Sequence, residues 1–167
     1  MKDVFIELEK CQGCKSCELA CAVEHSKAKT LFAAISETPL PRKRVFVEYV
    51  DGKRFPIQCR HCEEAPCVAI CVSGALSRDE SRALVTHSKE RCIGCGMCVM
   101  VCPFGVITRE MGSKVITKCD RCKDRDEPAC VESCPVGALV FTDMEELEKT
   151  RRRGVIKNVL IGGFKAS

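Results

Sequence analysis

An α+β protein of short strands, β-hairpins and long loops, closed by one C-terminal helix and tail, is what this sequence predicts, and three observations predict it. Sixteen of the 167 residues are cysteine. They fall into four groups of four with none left over: Cys11, Cys14, Cys17 and Cys21; Cys59, Cys62, Cys67 and Cys71; Cys92, Cys95, Cys98 and Cys102; Cys119, Cys122, Cys130 and Cys134. After three of these groups the chain reads C-x-x-G and then two apolar residues, at Cys71 to Leu76, Cys102 to Ile107 and Cys134 to Leu139. The 46% apolar content counts cysteine; without it about 36% remains, below the usual apolar share of a folded domain. Burial of side chains alone does not account for such a fold. Metal coordination does, because sites that form only in the folded chain turn binding energy into folding energy, so the metal-free chain is expected to be largely unfolded.

The elements follow in chain order. Residues 2–8 read as a strand entering the first cysteine loop. Residues 44–50 and 53–57 flank Asp51-Gly52, a strong hairpin signal, inside the long insertion between the first two groups. Each C-x-x-G unit reads as a short helix carrying the last cysteine, stopped by a glycine that tolerates the left-handed conformation, with a strand beginning after it. Cys21-Ala-Val-Glu24 has no such glycine. Further short strands are expected at 83–87, 105–109 and 114–118, the last two around a turn containing Gly112. Thr142 with Glu145 fits a capping box, and Glu145 with Lys149 and Glu148 with Arg152 are helical i,i+4 pairs, so 143–153 reads as a solvated helix ended by Gly154. The more apolar tail, 155–164, either packs on this chain or docks on a partner.

The cysteine spacing selects the metal. Two groups share C-x2-C-x2-C-x3-C, and the others only lengthen the gap before the third cysteine. In a bacterial two-cluster ferredoxin, C-x2-C-x2-C-x3-C-P gives three cysteines to one [4Fe-4S] cluster and the fourth to its neighbour. The run from Cys92 to Pro103 is the full pattern, and the run from Cys119 ends in the same Cys134-Pro135. Zinc also takes four thiolates in C-x2-C pairs, but three cysteines in C-x2-C-x2-C followed by a Cys-Pro fit a cubane better. Four [4Fe-4S] clusters are expected.

That count changes the charge. The formal +4 treats every thiol as neutral; four oxidised clusters at about −2 each bring the total to about −4. Basic residues here offset clusters, and with no Trp and one Tyr there is no stacking stripe for single-stranded nucleic acid. No stretch approaches the ~20 apolar residues of a membrane span, and the first ten residues lack a signal core, so a cytoplasmic protein without a transmembrane segment is expected. Ser73, Asp120, Glu132 and Ser133 lie near cysteines, but nothing pairs them as nucleophile and base, and no G-x-G-x-x-G loop is present. The reading is of a non-catalytic chain.

Lys10, Arg91 and Lys118 each precede the first cysteine of a group, and Gln58 holds that place in the second. Positive charge there raises a cluster's reduction potential; the alternative is a solvated surface cation, the usual fate of long charged side chains. His61, between Cys59 and Cys62, suits a hydrogen-bond donor to a cluster better than a ligand. His25 and His87 show no role.

Four ordered groups with spacings 2-2-3, 2-4-3, 2-2-3 and 2-7-3 resemble the four-cluster ferredoxin-like electron-transfer subunits of complex oxidoreductases. Among these are the iron–sulfur subunits of formate hydrogenlyase and formate dehydrogenase, the ferredoxin-like partner of CO dehydrogenase, and the iron–sulfur subunits of dimethyl sulfoxide and polysulfide reductases. The run Cys17-Glu-Leu-Ala-Cys21-Ala-Val-Glu-His25 is most similar to the CO-dehydrogenase and hydrogenase-linked branch. The resemblance implies two ferredoxin modules, one nested inside the other. Cys11, Cys14, Cys17 and Cys134 would hold one cluster and Cys119, Cys122, Cys130 and Cys21 its neighbour. Cys59, Cys62, Cys67 and Cys102, with Cys92, Cys95, Cys98 and Cys71, would form the inner pair. The implied organisation is a domain at 1–142, with an outer module at 1–24 and 110–142, an inner module at 56–109 and an insertion at 25–55, followed by the helix and tail at 143–167.

The implied function is relay of single electrons between a catalytic subunit, of CO dehydrogenase, hydrogenase or formate dehydrogenase type, and a second redox protein. Two alternatives stand beside it: an assembly or filament-forming scaffold built through the C-terminal tail, and the iron–sulfur subunit of a dimethyl sulfoxide or polysulfide reductase-type molybdoenzyme.

Overall fold

The structure, a computed structural model, describes residues 2–109 and 114–162. Its architecture is the expected loop-rich α+β arrangement: four two-stranded antiparallel sheets, five short helices and one long C-terminal helix among the described residues. β1 (Lys2–Ile6) pairs with β8 (Leu139–Asp143), so strands at opposite ends of the cysteine region lie side by side. β2 (Val45–Val50) and β3 (Lys53–Gln58) form the hairpin around Asp51-Gly52, both of which have positive φ, as a tight two-residue turn requires. β4 (Leu76–Asp79) pairs with β5 (Leu84–His87), and β6 (Thr108–Arg109) with β7 (Ile116–Thr117). The predicted turn at Gly112 lies outside the described residues.

The helices are shorter than the C-x-x-G units predict: three of them carry only the third cysteine of their group and end before the fourth, so the glycine that follows lies on the path to the next strand rather than at the helix end. α3 (Pro66–Ala69), α4 (Met97–Met100) and α5 (Ala129–Glu132) are single turns, each followed by a cysteine and then by Gly74, Gly105 or Gly137 at φ of 60° or 61°. α1 (Ser16–Glu24), which has no such glycine after Cys21, runs on for nine residues. α2 (Leu31–Ala34) lies in the insertion.

Two apolar cores form, and cysteines are part of both. One gathers Val4, Val45, Val47, Val131 and Leu139 around Cys17, Cys21 and Cys130. The other gathers Leu76, Val85, Ile107 and Ile116 around Cys67 and Cys98. The hairpin of the insertion is therefore not an appendage, because alternate residues of β2 pack on the first core. Arginines tie the two halves: Arg60 donates to the Val4 carbonyl at 3.2 Å, and Arg121 reaches the carbonyls of Lys2, Arg82 and Ala83 and the Asp3 carboxylate.

Three further local expectations are corrected. The first strand ends at Ile6, and a 3-10 turn at Leu8–Lys10 leads into Cys11. The last helix, α6 (Met144–Gly162), passes through Gly154. An interior glycine costs about 1 kcal/mol relative to alanine, a weak brake with no competing turn behind it. The cap of α6 is Asp143, whose Oδ1 accepts from the Glu146 N–H at 2.9 Å, one residue later than the predicted Thr142 cap; both residues close β8, and Asp143 is the one that directly precedes the first helical residue, Met144. The expected pairs Glu145–Lys149 and Glu148–Arg152 form, at 2.7 and 3.4 Å.

Candidate metal centres

Each cysteine group is built the same way in the backbone. The residue two after the first cysteine, Gly13, His61, Gly94 or Arg121, has positive φ in all four. A left-handed residue next to a right-handed one turns successive peptide N–H groups toward one concave side of a loop, which favours an anion there. Glycine suits this position, and at Gly94 it is obligatory, since a Cβ would lie 2.3 Å from the Lys114 carbonyl oxygen. His61 and Arg121 adopt it as non-glycine residues, which sequence alone did not signal.

The third cysteine of each group sits on a helix and the fourth lies four residues on. That spacing places the two sulfurs a helical turn apart along the axis. α1 lies against α5 and α3 against α4, so the turn carrying one group's last cysteine faces the loop of another group. Two small cavities follow. Cys11, Cys14, Cys17 and Cys134 line one, with Val47, Pro56 and Leu139 as apolar wall. Cys71, Cys92, Cys95 and Cys98 line the other, with Leu76, Met97 and Ile116. In both, three cysteines come from one group and one from another.

The remaining cysteines also meet as neighbours. Burial pushes the Cys130 thiol up, and nearby Cys119, Cys21, Cys122 and Cys17 push it further. Burial raises Cys67 to about 11, with Cys59 and Cys102 adding to it and Lys118 opposing it. Such thiols give up their protons only when a cation compensates the charge, which is how a metal loads them. Sulfur atoms accept backbone hydrogen bonds from Ala138 to Cys134 at 3.1 Å, Arg44 to Cys21 at 3.2 Å and Arg121 to Cys119 at 3.3 Å. Donors of this kind stabilise ligand charge and tune a bound centre.

The histidines divide. His61 is held neutral: burial first, then the charges of Lys118 and Arg121, push its pKa down to about 2. Its Nδ1 accepts from the Val85 N–H at 3.1 Å, so Nε2 carries the proton, and that buried N–H has no partner among the described residues. An orphan donor between Cys59 and Cys62 fits an acceptor supplied by a cluster. His25, for which the sequence offered no role, stands beside Cys21 and contacts Asp120 Oδ1 at 3.1 Å through Nε2. Burial works against its charge, but Asp120 and Cys21 prevail and raise its pKa to about 9. Arg44 holds the other Asp120 oxygen at 2.5 Å. These three residues come from the insertion and the fourth group, a meeting that no local motif announces.

The cations divide as well. Lys10 is exposed and pairs with Glu7 at 2.6 Å, and Arg91 is exposed; both are surface cations. Lys118 is buried. Glu132 is engaged with Arg125, and the Ser133 hydroxyl donates to the Cys130 carbonyl, so neither stands as part of a catalytic pair.

Comparison with known proteins settles the family. A 4Fe-4S dicluster domain matches residues 50–144, and a 4Fe-4S binding domain matches residues 8–24. The protein belongs to the 4Fe-4S dicluster family. This 4Fe-4S protein is 38% identical to "Iron-sulfur protein" of Rhodospirillum rubrum, over 93% of its own length and 91% of that relative's. It is 36% identical to "Electron transport protein HydN" of Escherichia coli, over 87% and 90%. It is also 36% identical to the B subunit of the anaerobic dimethyl sulfoxide reductase of the same organism, over 87% and 75%. No helix among the described residues is long and apolar enough to cross a membrane.

Proposed function

We propose that the sixteen cysteines are the ligands of four [4Fe-4S] clusters and that the chain relays single electrons between a catalytic oxidoreductase subunit and a second redox protein. One observation carries this reading: two separate cavities are each ringed by three cysteines of one group and the last cysteine of another, as shared ferredoxin loops require. The ligand sets are then Cys11, Cys14, Cys17 and Cys134; Cys119, Cys122, Cys130 and Cys21; Cys59, Cys62, Cys67 and Cys102; and Cys92, Cys95, Cys98 and Cys71. When bound, such clusters supply reversible one-electron chemistry with no bond made or broken.

The chain's own residues space, insulate and tune. Cys17 neighbours Cys130, Cys59 neighbours Cys119, and Cys98 neighbours Cys67, which supports a single file of sets in the order just given. Cys14 and Cys95, the two exposed cysteines, belong to the first and last sets, so the ends of the file meet the surface, while in the second set Cys119 and Cys122 are half-buried and Cys130 is buried. The names of the electron-transport and reductase relatives support a subunit role. The catalytic partner is of CO dehydrogenase, hydrogenase or formate dehydrogenase type, or a molybdoenzyme of the dimethyl sulfoxide or polysulfide reductase type.

Iron and acid-labile sulfide analysis of anaerobically purified protein tests the reading. About sixteen of each per chain, with interacting cluster signals on reduction, is expected. Four zinc ions in their place would overturn it. Co-purification from the native cell selects the partner class by the molybdenum or nickel that accompanies the chain.

A second reading, assembly through the C-terminus, is favoured by α6 itself. Leu147 is buried, whereas Val155, Ile156 and Leu160 are exposed. Removing residues 150–167 is expected to abolish assembly while iron content and reducibility persist; an unchanged oligomeric state or complex would eliminate this reading.

A further inference from the structure

Lys118 is 4% exposed. Lysine is almost never buried this deeply without a carboxylate, and no ion pair among the described residues includes it. Its ammonium instead donates to the Val85 carbonyl at 2.6 Å and the Cys119 carbonyl at 2.7 Å. Val85 belongs to β5, packed beside Cys67 in one core, whereas Cys119 opens the fourth cysteine group. Lys118 thus spans the joint between the two halves of the molecule. Its positive charge reaches sulfurs on both sides, Cys67 and Cys119 alike. Two carbonyl dipoles only partly offset the cost of burying an ammonium. The balance requires negative charge on both flanks, and thiolate-ligated clusters at about −2 each would provide it.

We infer that Lys118 is a shared electrostatic counter-charge for the two middle cysteine sets, Cys119/Cys122/Cys130/Cys21 and Cys59/Cys62/Cys67/Cys102, and that it raises the reduction potential of both together. The inference rests on the four-cluster reading. An electron crossing the joint is lost by one flank and gained by the other. The negative charge facing Lys118 is therefore the same before and after the transfer, and the ammonium favours entry of an electron into the middle pair without trapping it on either side. Lys10 and Arg91, being exposed and screened by water, do not share this role.

Redox titration of holo protein followed by EPR tests this, with Lys118→Gln and Lys118→Arg beside the wild type. Glutamine keeps a hydrogen-bond donor and removes the charge; arginine keeps the charge. The expected result is a downward shift of two of the four midpoint potentials in Lys118→Gln, with the other two unmoved and Lys118→Arg close to wild type. Cysteine-to-serine variants at Cys59 and Cys122 assign the shifted pair to the middle sets. Unmoved potentials in Lys118→Gln, or an equal shift of all four, would overturn the inference. If Lys118→Gln loads incompletely, loss confined to the two middle clusters supports it, while loss of all four, or of the end clusters, marks a merely structural joint and overturns it. A wild type holding fewer than four clusters would instead count against the four-cluster reading, independently of Lys118.

Discussion

At the scale of single residues, cysteines separated by four positions serve different places. Cys17 and Cys21 share helix α1, but Cys134 meets Cys17 in one cavity while Cys21 neighbours Cys130 and Cys122. Cys21→Ser is accordingly expected to weaken the cluster held by Cys119, Cys122 and Cys130 and to spare the one beside Cys11. Mössbauer or EPR spectra of this variant and of Cys11→Ser would differ; identical losses would refute the crossover. Backbone demands are also resolved residue by residue. Gly94 and Gly105 share a φ near 60°, yet a Cβ at Gly94 collides with the Lys114 carbonyl whereas Gly105 has open space. Gly105→Ala should cost about 1–2 kcal/mol from conformation alone. Gly94→Ala should cost more and deplete iron in the set that includes Cys92, as measured by denaturant midpoints and iron content.

At the scale of elements, the recurring C-x-x-G unit marks where the chain turns toward the next strand, not where a helix ends. α3, α4 and α5 end after one turn, before the last cysteine of their group, and the left-handed glycine comes after that cysteine, whereas α1 carries both Cys17 and Cys21. Reading a glycine as a helix end also failed at Gly154, where the glycine is helical and α6 continues: a glycine ends a helix only where the chain has somewhere else to go. The α6 cap offers a direct check. Asp143→Ala should remove the hydrogen bond to the Glu146 N–H and cost about 1 kcal/mol of helix stability, while Thr142→Ala should be near neutral. Thermal melts followed by circular dichroism at 222 nm, in holo protein, compare the two; a larger loss at Thr142 would restore the capping box first expected. The hairpin around Asp51-Gly52 was legible almost to the residue because its turn type demands those residues locally. The pairing of β1 with β8 was not, because both strands are short and nothing in either specifies a partner more than 130 residues away.

At the scale of the molecule, cysteine sulfur occupies positions that aliphatic side chains fill in other proteins. Cys17, Cys21 and Cys130 lie at the centre of one core and Cys67 and Cys98 in the other, and the apolar residues left over are few. Removing iron anaerobically with a chelator should therefore abolish most secondary structure, seen as loss of far-UV ellipticity and of a cooperative melt. A metal-free chain that kept both would show that the two cores suffice. The sequence by itself determined the chemistry: the number, type and spacing of the cysteines, the left-handed glycines that follow three of the groups, and hence the iron–sulfur family, because these are local properties of a loop wrapping an anion. Only the tertiary structure decided which groups face one another, which of three similarly placed cations is buried, and that His25, Asp120 and Arg44 come together beside Cys21. Lys10, Arg91 and Lys118 look alike along the chain; burial depends on which strand of a distant hairpin lies overhead, and that is a property of packing, not of the residue.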